Sequence, residues 1–124
     1  VYKRQSYVSV LNDCAYSYAN HWKNAAHLIG DADRAGEIET ALQARKPEQA
    51  FEGAELALMR YAEKLTLSPG DMVEADVAAL RDAGLDDGAI LEANQIICYF
   101  NYVNRSINGL GVTTAGDIVG YYAD

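Results

Sequence analysis

The sequence has few cysteines, no long apolar run and few basic residues, and each shortage excludes a class of protein. Its two cysteines, Cys14 and Cys98, are far apart and too few for the disulfide framework of a small secreted protein. No apolar run approaches the ~20 residues that span a bilayer, and no signal-peptide pattern opens the chain. These absences favour a reducing, cytoplasmic setting without membrane association.

Basic residues are outnumbered by acidic ones. The 124 residues include 10 Lys and Arg against 18 Asp and Glu, which gives a formal net charge of -8. Such a surface repels phosphate, so neither nucleic acid nor anionic membrane is expected as a partner. The chain has the length of one domain and lacks internal repeats and long linkers. We predict a helical domain over residues 6–112 and a tail over 113–124.

The first five residues, VYKRQ over positions 1–5, lack both an initiator methionine and a helix cap. This pattern is typical of adapter-derived sequence, so we interpret the segment as non-native. The residues from Ser6 to Leu11 suit the last turns of a helix. We therefore expect an N-terminally truncated domain.

Capping residues and apolar positions at three- and four-residue steps predict further helices. Asp13 is expected to cap a helix that begins at Cys14 and ends at Gly30. Three more helices are expected at about residues 34–44, 53–67 and 74–83, and Asp86 is expected to cap a last one that closes at residues 109–111. Because strand signals are nearly absent, the predicted fold is an all-α compact helical bundle.

The last helix is apolar on a second face, which carries Leu91, Cys98 and Tyr102. A helix that is apolar all round is either the buried centre of a bundle or is covered by another subunit. The nine tyrosines, a residue type enriched at interfaces, favour a homo-oligomer, with the tail extended on a partner chain. Cys98 is expected in the core. Three polar residues of this helix would form a surface face in a monomer or hydrogen-bond across subunits in an oligomer, and we favour the second: Asn101, Asn104 and Arg105.

Cys14, Ser17 and His21 lie at positions i, i+3 and i+7, within about 60° of one another on a helix surface. A thiol in the first helical turn meets unpaired N–H groups and the positive end of the dipole, which favour the thiolate. A histidine on the same face can supply or relay a proton. This pattern suits a reactive sulfur, and a small buried cysteine beside a surface histidine is the open alternative.

Other candidate sites are weaker. His27 has no acidic or cysteine partner at ligand spacing, so no metal site is predicted. Ser17 and His21 as a nucleophile–base pair would need a strand-borne G-x-S-x-G turn, which is absent. Tyr18 and Trp22 are expected mainly as core residues, although one of them could line an apolar pocket.

The segment SVLNDCAYSYANH, from Ser9 to His21, resembles the C-x-Y-C-x-x-x-H site of the alkylhydroperoxidase D-like (carboxymuconolactone decarboxylase) family, in its peroxidase-related branch. Further segments match the same family in order and spacing: AEKLT at 62–66, ADV at 75–77, LRDAGL at 80–85, YFNYVNR at 99–105 and GLGV at 109–112. The similarity covers nearly the whole chain after Gln5.

The resemblance implies an all-helical protein that forms trimers, hexamers or other homo-oligomers and needs no cofactor. It also implies that two cysteines reduce hydroperoxides and that an external thiol or dithiol returns the electrons. Cys14 matches the first cysteine and His21 matches the histidine that transfers protons, whereas Ser17 takes the place of the cysteine that attacks peroxide. Family members often carry a glutamate twelve residues before the first cysteine, where this chain has Tyr2.

A serine at position 17 cannot form a sulfenic acid or a disulfide, so the two-cysteine cycle is impossible with Ser17. Three explanations are open: an engineered or sequencing change, a natural one-cysteine variant that an external thiol resolves, or lost activity. The leading hypothesis is an antioxidant thiol peroxidase with Cys14 as redox residue and His21 as proton shuttle. The alternatives are a decarboxylase-like enzyme with His21 as general acid or base, and an inactive oligomeric member.

Overall fold

The computed structural model describes residues 1–122, and over that range the chain is entirely helical or irregular, which confirms the all-α prediction. Its six α-helices are α1 (Tyr2–Leu11), α2 (Ala15–Ile29), α3 (Ala32–Gln43), α4 (Gly53–Leu67), α5 (Glu74–Asp82) and α6 (Asp87–Leu110). Two short 3-10 turns, Pro47–Gln49 and Pro69–Asp71, flank α4.

Helix α1 is the centre of the bundle and packs against α2, α3, α4 and α6. Tyr7 and Val8 are adjacent residues of α1. Both are 0% exposed, yet they belong to two different apolar clusters. Consecutive helical residues point about 100° apart, so α1 contributes to both clusters at once. The first cluster includes Trp22, Ile38, Leu42 and Met59, and the second includes Tyr61, Leu80, Ile97 and Phe100.

The five residues interpreted above as non-native form the start of α1, with Val1 as the N-cap and residues 2–5 in the helix. Ser6 Oγ donates to the carbonyl of Tyr2 at 2.9 Å, and Lys3 forms an ion pair with Glu55 of α4. The Lys3 ammonium also lies 5.4 Å from the centre of the Phe51 ring. Residues 2–5 are therefore packed against the domain, while their origin stays a prediction.

Helix α6 begins as expected, because Asp86 accepts a hydrogen bond from the N–H of Ala89 at 2.7 Å. It continues through Gly109 to Leu110, and Gly111 ends it in the left-handed conformation with φ 67. Within residues 1–122, no helix is long and apolar enough to cross a membrane.

The second face of α6 is exposed in this chain: Leu91 is 58% and Tyr102 70% exposed. The alternative that α6 is the buried central helix is therefore wrong, because α1 takes that place. The expectation that Cys98 lies in the core is also wrong, since its side chain is exposed. Cys98 is seven residues after Leu91 and so shares its outward face, whereas Ile97 points inward.

The tail returns to α2 of its own chain at residues 120–122, whereas contact of the tail with a partner chain stays a prediction. The N–H of Gly120 donates to Asn20 Oδ1 at 2.9 Å, and the N–H of Tyr121 donates to Asn24 Oδ1 at 2.7 Å. The Tyr122 ring stacks on His27 with ring centres 4.8 Å apart. A buried Asn24 side chain needs such partners, which explains why the tail returns to α2. Residues 123–124 lie outside the described part of the chain.

Candidate functional site

The turn between α1 and α2 places Cys14 at the N-cap of α2, where it makes no side-chain capping hydrogen bond. Its N–H donates to the carbonyl of Ser9 at 2.9 Å, which holds the turn against α1. Helix α2 begins at Ala15, so the expectation that Asp13 caps it is wrong. Asp13 has a left-handed φ of 50, and its carboxylate pairs with Arg45 instead. The Cys14 sulfur therefore lies at the N-terminal end of α2, where the first backbone N–H groups receive no hydrogen bond from the side chain of the N-cap residue.

Cys14 is 1% exposed, yet it lines an open cleft of about 330 Å³ between α1, the start of α2 and the end of α3. This volume suits a small organic ligand. Other residues of the cleft wall are Val10, Asp13, Tyr18, Gln43 and Arg45.

Within residues 1–122, the left-handed region contains two residues other than glycine, Asp13 and Arg45, and both line this cleft. A positive φ is tolerated by aspartate but disfavoured for arginine, at a cost on the order of 1 kcal/mol. The two side chains meet across the cleft mouth, with Arg45 Nη2 3.2 Å from Asp13 Oδ1. Each residue follows the end of a helix, Asp13 after α1 and Arg45 after α3, and the next N–H bonds back to the helix as in a common left-handed cap. The two helix ends therefore bring both side chains to this cleft.

Ser17 lies on the buried side of α2, one turn beyond Cys14, and is 2% exposed. Its Oγ is 2.8 Å from Ser9 Oγ, which is also 2.8 Å from the carbonyl oxygen of Gln5. A serine hydroxyl has one proton and a carbonyl can only accept. When Ser9 donates to Gln5, Ser17 is therefore the donor in the Ser9–Ser17 bond.

His21 points towards α1 and α6 rather than into the cleft. Its ring meets Phe100 edge to face at 4.6 Å and stacks on Tyr2 at 6.1 Å between ring centres. Tyr2 occupies the position where the resemblance expects a glutamate, so that position does adjoin the histidine. Nδ1 of His21 is buried without a hydrogen-bond partner in residues 1–122, and burial lowers the pKa of the imidazole. The neutral ring is favoured.

The structure brings together only two of the three predicted site residues. Cys14 and Ser17 share the start of α2, but the cleft is lined by Cys14 and not by Ser17 or His21. Tyr18, expected mainly in the core, is half-buried and lines the cleft, while its hydroxyl donates to Glu39 at 2.8 Å. Burial raises the pKa of Tyr18, so its phenol stays protonated. Trp22 is a core residue, as expected.

Polar residues of α6 form a hydrogen-bond network within the chain, and their bonding across subunits stays a prediction. Asn12 Nδ2 donates to Asn104 Oδ1 at 3.2 Å and to Asn101 Oδ1 at 3.0 Å. Arg105 Nη1 donates to Asn101 Oδ1 at 2.7 Å. Asn104, which is 0% exposed, also donates to Ser9 Oγ at 3.5 Å. The network therefore connects α6 to the turn before Cys14 and to the serine that holds Ser17.

Replacing His21 by phenylalanine is expected to raise stability in acid. The pKa of His21 is lowered in the folded chain, whereas in the unfolded chain it has its ordinary value near 6.5. At a pH near or below 6.5 the unfolded chain therefore binds more protons than the folded chain. Stability is therefore lost as pH falls through that range, and His21→Phe removes this loss together with the unpartnered nitrogen. Urea unfolding at pH 5 and pH 8 should show a larger gain for the variant at pH 5. An equal difference at both pH values would contradict the assignment.

Comparison with known proteins supports the fold. No protein-family model matches the sequence, and no curated protein matches it either. The structure is similar to that of an uncharacterized peroxidase-related protein from Silicibacter sp. TM1040, with a TM-score of 0.80 and 22% sequence identity. The match covers 90% of this chain and 56% of that one, so this chain spans little more than half the length of its structural neighbour. The chain therefore has the helical fold of a peroxidase-related protein.

Proposed function

We propose that the chain is a peroxidase-related thiol oxidoreductase of the alkylhydroperoxidase D-like family, in which Cys14 reduces hydroperoxides. The observation that carries the proposal is the position of Cys14, which lines an open cleft at the N-terminal end of α2. The likeness to a peroxidase-related protein and the motif from Ser9 to His21 support the same reading.

In the proposed reaction the Cys14 sulfur attacks the O–O bond of the hydroperoxide. The thiol and ROOH give a sulfenic acid and ROH, and the unpaired N–H groups of the first turn of α2 stabilise negative charge at this end of the helix. Because Ser17 cannot form a disulfide, an external thiol RSH condenses with the sulfenic acid to give a mixed disulfide and water. A second thiol then releases Cys14 and leaves RSSR.

We propose that His21, which lies on the buried side of α2, transfers protons for the reaction. Its lowered pKa keeps the ring neutral, so it can accept a proton. A decarboxylase-like role, with His21 as general acid or base on a bound lactone acid, has less support because such a substrate would have to contact His21 directly, and His21 does not line the cleft.

Peroxide treatment is expected to oxidise Cys14 before Cys98. Cys98 is the exposed thiol and Cys14 the buried one, so oxidation governed by exposure alone would give the opposite order. The folded chain would be treated with an equimolar hydroperoxide and a sulfenic-acid trap, and each cysteine would be quantified by peptide mass spectrometry. The Cys14→Ser variant controls for labelling elsewhere. Preferential trapping at Cys98 would refute the proposal.

A homo-oligomer, trimeric or hexameric, is proposed as the working form in a reducing cytoplasm. Supporting it is the exposed apolar face of α6, defined by Leu91, Tyr99, Tyr102 and Leu110, which are 58–79% exposed. Sedimentation of the chain at micromolar concentration should show an oligomer, and Tyr102→Glu should dissociate it. Val73→Glu, at an apolar residue 58% exposed at the N-cap of α5, is the matched control. A monomeric parent chain would contradict this part of the proposal.

A further inference from the structure

The cleft beside Cys14 has a guanidinium in its wall. Arg45 follows the end of α3, and its Nη2 donates to the carbonyl of Val10 at 3.3 Å and to Asp13 Oδ1 at 3.2 Å. Both bonds use the same nitrogen. A guanidinium carries five N–H donors in a planar fork, so within residues 1–122 the hydrogens of Nε and Nη1 remain for another acceptor.

The ion pair with Asp13 leaves Arg45 able to bind a second anion. The Asp13 side chain is 87% exposed and that of Arg45 is 42% exposed. Exposed pairs of this kind contribute little and are screened by salt, so an incoming carboxylate can compete with Asp13. Tyr18 directs its proton to Glu39, and Gln43 adds a neutral amide to the wall.

The start of α2 adds positive potential to the same cleft. Cys14 gives α2 no side-chain cap, and both Cys14 and Ala15 line the cleft. The guanidinium and the uncapped helix end therefore act on one volume of about 330 Å³ in a chain whose net charge is -8. Arg45 and the start of α2 thus favour an anion in this cleft, with the carboxylate of Asp13 as the opposing charge in its wall.

We propose that the thiol that reduces oxidised Cys14 carries a carboxylate, and that Arg45 binds this carboxylate. The inference rests on the proposed function and names its reductant class. The sulfenic acid of Cys14 and the thiol RSH give a mixed disulfide and water, with the sulfur of RSH bonded to Cys14 and its carboxylate at Arg45. A second RSH forms RSSR and restores the Cys14 thiol. The cleft volume accommodates a small peptide thiol.

The test uses two disulfide-forming reagents of similar size and opposite charge, 2-sulfonatoethyl and 2-(trimethylammonio)ethyl methanethiosulfonate. Cys98→Ser serves as background, so that Cys14 is the one reactive thiol. The rate constant for the anionic reagent is divided by that for the cationic reagent, and the quotient is normalised to that of free 2-mercaptoethanol. No hydroperoxide is involved, so the result is independent of peroxidase activity.

The ratio of the two rate constants, normalised to that of free 2-mercaptoethanol, should exceed one. It should fall about tenfold in Arg45→Asn, which removes a unit charge from the wall of the cleft that Cys14 also lines. Asparagine tolerates the left-handed φ of 55, and Arg45→Lys should retain most of the preference because it keeps the charge. Asp13→Asn should raise the quotient. Arg60→Asn, at a surface arginine paired with Glu48 and Glu63, is the matched control and should leave it unchanged.

Two results would overturn the inference: equal quotients in Arg45→Asn and Arg60→Asn, or a Cys14 that reacts with neither reagent in the folded chain. In the first case, oxidation of Cys14 by hydroperoxide would still uphold the proposed function, so the two failures are distinguishable. A final experiment measures the rate at which thiols cleave a neutral mixed disulfide at Cys14. The rate with 3-mercaptopropionate should exceed the rate with cysteamine only when Arg45 is present.

Discussion

Replacing Ser17 by cysteine is expected to raise hydroperoxide turnover with a dithiol reductant by about a hundredfold or more. Position 17 lies one helical turn beyond Cys14, the spacing of a C-x-x-C pair. A thiol held beside an oxidised partner reacts intramolecularly, and effective molarities of well-placed groups far exceed the millimolar concentration of a free thiol. A disulfide between Cys14 and the introduced cysteine would form after peroxide treatment, and mass spectrometry would detect the loss of two hydrogens.

The Ser17→Cys substitution should cost the fold little. Ser17 is the donor to Ser9 Oγ when Ser9 donates to the Gln5 carbonyl. Removing the Ser17 hydroxyl therefore leaves the Ser9 proton bonded, and a thiol is a weak donor that can replace part of the lost bond. His21 follows one turn later on α2 with a lowered pKa, so its neutral ring is available to accept the new thiol's proton.

Two variants control this experiment. Ser17→Ala removes the hydroxyl without adding a thiol and should leave turnover at the parent level. Ser17→Cys combined with Cys14→Ser moves the single thiol by one turn and should form no intramolecular disulfide. The interpretation fails if Ser17→Cys forms the disulfide with a general thiol oxidant yet consumes hydroperoxide no faster than the parent chain.

The helices were predictable because their signals are local. Asp86 before α6 and Gly30 after α2, with φ 68, mark helix ends by residue type and short-range geometry. Asp13 shows the limit of such signals. It has a good capping side chain, but the turn needs a left-handed residue there, so the N-cap falls on Cys14.

The faces of the helices were harder to predict than their bounds. The seven-residue spacing from Leu91 to Cys98 shows that the two share a face, but it does not say whether that face points inward. The answer depends on which helix is central, and this is α1, a ten-residue helix with buried serines that gave only a weak apolar pattern. Asn104 can be buried because its amide forms hydrogen bonds with Asn12 and Ser9, and both of these partners are distant in sequence.

The site was predictable only for the residues that are close in sequence. Cys14, Ser17 and His21 stand out by spacing, but spacing does not show that Cys14 opens to a cleft while His21 faces Phe100. Arg45 reaches Asp13 through the packing of α3 on α1, and no pattern links the two positions along the chain. Such tertiary partners need the folded structure.

Ile97→Ala is expected to lower the free energy of unfolding by about 2–5 kcal/mol, a large part of the roughly 5–15 kcal/mol of a small domain. Ile97 is 0% exposed and belongs to the second apolar cluster, where truncation leaves a cavity between α6 and its neighbours. Leu28→Ala on α2, at a residue 56% exposed and outside the proposed α6 interface, should change stability by no more than about 0.5 kcal/mol. Urea unfolding followed by circular dichroism provides both values.

The same variant tests whether the two clusters unfold together. Trp22, the single tryptophan, lies in the first cluster and Ile97 in the second, and α1 joins them through Tyr7 and Val8. A cavity at Ile97 should therefore shift the urea midpoint of Trp22 fluorescence by the same amount as the midpoint of circular dichroism, with an unchanged m-value. If the fluorescence midpoint stayed at its parent value, α1 would not couple the clusters, and the turn that carries Cys14 would depend on the first cluster alone.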